Sequence, residues 1–150
     1  MSSTGFLLSA ALVVLIHELG HAAAQRMCGV PVHRIVWGRG PQLFRLCALE
    51  VRLLPLSGYV LPVGVLHARR RWQGVLIALS GVLAPWLVVG VMILIHATSY
   101  GWLREFFWGW MIWSVVGLGQ LLPMRQRDGW WALVALGVLP APHMDREGDS

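Results

Sequence analysis

Residues 17–21 read His-Glu-Leu-Gly-His. Positions four apart on a helix share one face, so His17 and His21 can offer imidazole nitrogens to a single metal ion while Glu18 points toward the same site. Zinc needs a third protein ligand and an open fourth position for water, whose proton a carboxylate such as Glu18 can accept. The pattern points to a metal-dependent hydrolase.

The surroundings sharpen that reading. The motif lies in an apolar run from Phe6 to Ala24 that contains no other charged side chain. A lone histidine on an apolar face is ordinarily a satisfied core residue, and Glu18 with His21 also fits the Glu-x-x-His spacing of di-iron bundles. Neither accounts for a cluster of ionisable groups at bilayer depth, where a charge costs roughly 2.5–3.5 kcal/mol to insert and a functional site is the default. A signal peptide is a competing reading, with Leu7 to Ile16 as its core and cleavage after Ala24. No Arg or Lys precedes the run and the basic residues follow it, which favours a retained span with its N-terminus outside.

Of the 150 residues, 57% are hydrophobic, 13% are charged and nine are Trp, and the mean hydropathy is strongly positive. Several stretches approach the ~20 residues that a spanning helix needs. The expectation is one integral membrane domain over residues 1–142 with a polar tail at 143–150. The formal charge of +5 comes entirely from Arg, concentrated between Arg26 and Arg71. In a soluble chain such a balance would suggest nucleic acid. Among apolar spans it reads as cytoplasmic-loop bias, so lipid is the expected partner and nucleic acid is not. Cys28 and Cys47 fall in this segment, on the reducing side, and are expected to be unpaired.

The first span is expected over about 6–25, ended by Gly29 and Pro31. Residues 30–68 change character: Val32 to Trp37, Gln42 to Leu46, Leu49 to Leu54 and Tyr59 to Val65 read as short strands separated by Gly and Pro. Arg69, Arg70 and Arg71, a candidate lipid-phosphate anchor, precede a second span over about 72–97, interrupted by Pro85. A turn at Tyr100 leads to a third apolar stretch. The Arg distribution puts segment 26–71 and the C-terminus in the cytoplasm and the turn at 98–105 outside. His17 then lies nine residues before Arg26, roughly 13 Å deep at ~1.5 Å per residue. Asp128 is the best third ligand at that depth, provided that 106–139 is one span broken at 120–128, where protein covers the irregular backbone. The fold class is thus an α-helical membrane protein of three core transmembrane helices, the third broken near the metal, with a short membrane-associated β-rich segment between the first and second.

On these residues the chain resembles the site-2 protease family of intramembrane zinc metalloproteases, in a compact form without an appended PDZ or CBS domain. His17-Glu18-Leu19-Gly20-His21 matches the family's zinc motif. Trp37-Gly38-Arg39-Gly40-Pro41 resembles its Gly-x-Gly-Pro element, and Leu54 to Val60, with Gly58 and Tyr59, its Pro-x-Gly-Gly-Tyr segment. Gln120-Leu121-Leu122-Pro123 followed by Asp128-Gly129 is similar to its Asn-x-x-Pro and Asp-Gly motifs. The resemblance implies one Zn2+ on His17, His21 and Asp128, with Glu18 as catalytic base and Gln120, Gly58 and Tyr59 handling substrate. It implies hydrolysis of peptide bonds in transmembrane or membrane-adjacent segments of a protein substrate at the bacterial cytoplasmic membrane. Gln120 stands where Asn is usual, Val82 and Pro85 replace the Pro and Asn of the second helix, and Arg125 and Arg127 flank the ligand segment where apolar residues are more usual.

Two other classes stand beside this one. An inactive relative that sequesters a membrane partner is suggested by residues 82, 85 and 120, and opposed by Glu18, which metal binding alone does not need. A metal-handling membrane protein would show several dense ligand clusters rather than one. Among the remaining residues, Trp102, Trp108, Trp110 and Trp113 are expected in an outer interfacial belt. Ala22, Ala23, Gly117 and Gly119 are expected at close helix contacts, and His33, His67, His96 and His143 at the surface.

Overall fold

The computed structural model describes residues 3–62, 70–95, 99, 101–125 and 127–139. His67, Arg69, His96, Tyr100, the end of the fourth expected strand and the tail at 143–150 lie outside these residues. In order, the chain forms α1 (Ser3–Met27), β1 (Val32–Leu46), β2 (Leu49–Pro62), α2 (Arg71–Leu94), α3 (Gly101–Gly117), a 3-10 turn (Leu118–Leu121) and α4 (Asp128–Leu136). Two helical segments, Thr4–Met27 and Arg71–Leu94, are long and apolar enough to cross a bilayer.

The end of α1 falls where the glycine dictates. Gly29 adopts a left-handed φ of 75°, its N–H donates to the Arg26 carbonyl, and the Val30 N–H donates to Gln25 at 2.8 Å. This pair of bonds satisfies carbonyls that the helix leaves open. The stretch from Phe106 to Leu139 is broken as its sequence suggests: α3 starts earlier, at Gly101, and the irregular piece runs from the 3-10 turn to Arg127.

The β-rich segment consists of two long strands rather than four short ones, yet the four stretches keep separate partners. Ile35, Val36 and Trp37 pair antiparallel with Val60, Tyr59 and Gly58 on one side. On the other side the same residues pair with Leu49, Glu50 and Val51, the numbers rising together, and Leu46, Arg45 and Phe44 lie opposite 49–51 in turn. Residues 35–37 are thus covered on both edges, which explains why Ile35 and Val36 are buried. The Trp37 indole N–H donates to the Ala11 carbonyl at 3.0 Å, which lays the sheet along α1.

Helices α1, α2 and α3 share a core of Val13, Val89, Phe107 and Trp110. Trp110 is only 3% exposed and its indole donates to the Pro85 carbonyl at 3.1 Å, so it is a core residue and not part of an interfacial belt. Trp113 packs against Phe6 with ring centroids 5.4 Å apart, whereas Trp108 remains exposed. Of the small residues expected at close helix contacts Ala22 is buried and Ala23 is exposed, and the closest approaches fall on other glycines. Gly117 has open space around it, while a methyl on Gly109 would strike Ser9 and one on Gly20 would strike the Ser80 backbone and Ala84. Because lipid tails are as apolar as leucine, helices in a bilayer associate mainly through such backbone approaches.

One buried ion group was not anticipated from the sequence. Glu50, 1% exposed, accepts from Arg52 Nε at 2.7 Å and from Arg34 Nη1 at 3.0 Å. It ties the 49–52 stretch to 32–37. Removing one partner of such a group leaves buried charge uncompensated, whereas replacing all members by apolar side chains is often neutral. Arg52→Met, which takes a partner from the buried Glu50 carboxylate, is therefore expected to lower the melting temperature in thermal denaturation, and the triple replacement Arg34→Met, Glu50→Leu, Arg52→Met to restore it.

Candidate metal centre

One helical turn supplies two corners of the site. His17 and His21 project from the same face of α1, and their Nε2 atoms lie 3.2 Å apart. Asp128, the first residue of α4, supplies the third: its Oδ2 is 3.3 Å from His17 Nε2 and its Oδ1 is 3.3 Å from His21 Nε2. Ligand atoms about 2.0–2.1 Å from one tetrahedral ion are about 3.3 Å from each other. The two imidazole nitrogens and the nearer carboxylate oxygen of each are thus spaced as neighbouring ligands of one zinc ion are.

Two further observations fit a cation. His21 Nδ1 lies 2.7 Å from the Ile77 carbonyl, which can only accept, so Nδ1 carries the proton and the neutral ring turns the lone pair of Nε2 toward His17 and Asp128. Asp128 Oδ2 is buried without a hydrogen bond, a costly state for a carboxylate oxygen unless a positive centre faces it. His17, His21 and Asp128 form the one group of three His, Cys, Asp or Glu residues among the described residues that could hold a metal ion. Cys28 and Cys47 are free and take no part.

The helix beside α1 leaves room for these rings through a glycine. A methyl on Gly81 would overlap the His21 imidazole, so α2 can pass the site only where residue 81 has no side chain. The same stretch of α2 supplies the Ile77 carbonyl, which also accepts from Ser80 Oγ at 2.7 Å. Neither contribution was read from the sequence. A backbone carbonyl leaves no trace in residue identity, and Gly81 stands out in the sequence only as the glycine that precedes Val82 where the family has Gly-Pro, which does not reveal its contact with His21.

Glu18 is 6% exposed and is met by the sheet at Gly58, where a methyl would come within 2.6 Å of Glu18 Cγ and 2.8 Å of the Val36 carbonyl. Gly58 therefore lies inside β2 and permits a close approach; it does not make a turn. Tyr59 is next along the strand and 44% exposed. The 58–60 stretch has 35–37 on one edge and no strand on its other edge among the described residues. Gln120 lies on the 3-10 turn with its side chain exposed. Val82 and Pro85, at the altered positions of α2, are both buried. Pro85 has no N–H to offer the Gly81 carbonyl.

Comparison with known proteins identifies the family of the chain. The sequence profile of peptidase family M50 matches residues 5–120, a range that contains His17, Glu18, His21, Gly58, Tyr59 and Gln120. Asp128 lies beyond it and rests on the distances above. A Synechocystis protein named as a zinc metalloprotease is 43% identical over 54 residues, 33% of this chain and 15% of that protein. The regulator of sigma E protease of Haemophilus influenzae is 37% identical over 60 residues, 37% of this chain and 14% of that protein. The chain thus spans a small part of the length of the curated relatives it matches, and the family assignment rests on the profile, which covers most of the chain. The chain belongs to peptidase family M50, the site-2 protease family.

Proposed function

We propose that this protein is an intramembrane zinc metalloprotease of the site-2 protease type, with His17, His21 and Asp128 as zinc ligands and Glu18 as general base. The observation that carries the reading is the cluster of ligand atoms, with 3.2 Å between the two imidazole nitrogens and 3.3 Å from each of them to a different Asp128 oxygen, beside a buried glutamate. Zinc, when bound, supplies a Lewis acid that acidifies water and polarises a carbonyl. Glu18 takes the proton of the attacking water and returns it to the departing amine as the peptide bond breaks. The Ile77 carbonyl holds His21 in the tautomer that binds metal, and Gly58 lets the sheet cover Glu18. A sequestering relative would have no use for that buried carboxylate, which favours the enzyme.

Substrate is a transmembrane or membrane-adjacent peptide segment. A helix hides its amides in internal hydrogen bonds, so the segment must unwind before attack, and the strand edge at Leu56 to Val60 can receive the unwound chain by strand addition. Gly58 and Tyr59 lie on that edge, and Gln120 offers an exposed amide on the 3-10 turn. Three core spans, α1, α2 and the broken α3–α4 pair, hold the site in the bacterial cytoplasmic membrane, with the N-terminus outside and the C-terminus inside. The bond from Trp37 to Ala11 brings the sheet back along α1 from the cytoplasmic end. Its exposed Leu43, Phe44, Leu46, Leu53 and Leu54 then face lipid.

The purified protein is expected to contain one zinc. In Glu18→Gln zinc content is retained while cleavage of a model single-span substrate falls at least 100-fold, as loss of a general base requires. Asp128→Ala loses both metal and cleavage, and so does chelation of the wild type. Zinc retained in Asp128→Ala would remove that residue from the ligand set. Gly81→Ala displaces His21 and is expected to weaken zinc binding roughly 10–100-fold in chelator competition. Proline substitutions across Leu56 to Val60 abolish cleavage with zinc content unchanged; undiminished cleavage in these variants would sink strand addition.

A further inference from the structure

We infer that Arg127, which no part of the proposed chemistry uses, is a positioning residue that sets Asp128 in the ligand triangle. The inference rests on Asp128 being a zinc ligand. Arg127 is fixed at three points. Its N–H donates to the Met124 carbonyl at 3.0 Å, and its own carbonyl accepts from Trp131 at 3.1 Å. Its guanidinium reaches back across the break, where Nη1 donates to the Gly119 carbonyl at 2.7 Å. On the other side of Asp128, a methyl on Gly129 would collide with the Leu121 carbonyl. Both neighbours of Asp128 are therefore referenced to the 3-10 turn at Leu118–Leu121, one by a charge-assisted bond and one by close approach.

The Gly119 carbonyl, near the end of a helical segment, carries partial negative charge and accepts one backbone bond, from the Leu122 N–H at 3.3 Å, which leaves a second lone pair for the guanidinium. In a low-dielectric setting such a bond is hard to replace by water. The broken segment gives Asp128 no regular helix on its N-terminal side, and the Arg127 clamp supplies the missing constraint. It acts on the metal only through the backbone of the next residue.

The test uses the full chain in detergent, with zinc affinity measured by chelator competition and the ligand field read from the visible spectrum of the Co2+-loaded protein. Arg127→Met, which keeps the length of the stem and removes the donors, is expected to weaken metal binding about tenfold, in the range found for outer-shell partners of metal ligands, and to alter the Co2+ bands. The melting temperature of the metal-free protein should be unchanged. Arg127→Lys, which keeps a cationic N–H donor group, recovers most of the affinity. Wild-type affinity and spectrum in Arg127→Met, alongside loss of metal in Asp128→Ala, would overturn the role of Arg127 and leave the ligand set intact. Metal retained in Asp128→Ala would instead overturn the ligand set itself. Equal losses of affinity and of metal-free stability in both Arg127 variants would overturn positioning in favour of general support of the fold.

Discussion

Everything in this fold depends on bringing one carboxylate to two imidazoles. The imidazoles come together at almost no structural cost, since residues four apart on α1 face the same way. Asp128 has to arrive from the other end of the chain, on a different helix, with its oxygens 3.3 Å from both rings. A continuous helix through this region would give the residue no reason to stop at that point. The chain instead ends α3 at Gly117, makes one 3-10 turn and starts α4 at Asp128 itself. Irregular backbone of this kind survives in a bilayer only where protein covers it, and here α2 packs against both the turn and α4.

The neighbours of the site are shaped by what they lack. Gly20 lets α2 approach α1, Gly81 leaves space for the His21 ring, Gly58 lets the sheet meet Glu18, and Gly129 sits against Leu121. Single hydrogen bonds within membranes contribute roughly 0.6 kcal/mol on average. Bonds such as Trp37 to Ala11 therefore set orientation more than they set stability, and the close backbone contacts hold the helices together. A site built this way has little slack, because an added methyl at Gly58 or Gly81 would displace Glu18 or His21.

The parts legible in the sequence were those governed by local periodicity. The pairing of His17 with His21, the extents of α1 and α2, the termination at Gly29 and the interruption before Asp128 all follow from helix geometry and from the special backbone of Gly and Pro. The four β stretches were also legible, but their double pairing around residues 35–37 depends on contacts distant in sequence. The same limit hid the Arg34–Glu50–Arg52 group, the Gly81 approach and the Ile77 carbonyl. Trp110 reads as interfacial in the sequence because tryptophan reports amphipathic preference, whereas its partner, the Pro85 carbonyl, is set by the packing of α3 on α2. Residue type alone does not tell Gly117 and Gly119 from Gly20 and Gly109, and the close helix approaches fall on the latter two.

The central claim, that His17, His21 and Asp128 together hold one zinc, is tested most directly by X-ray absorption at the zinc edge of the purified protein. The account predicts a first shell of nitrogen and oxygen only, at about 2.0–2.1 Å, with outer-shell scattering from two imidazoles that drops to one in His21→Ala. A sulfur shell near 2.3 Å, or an imidazole count other than two in the wild type, would contradict it.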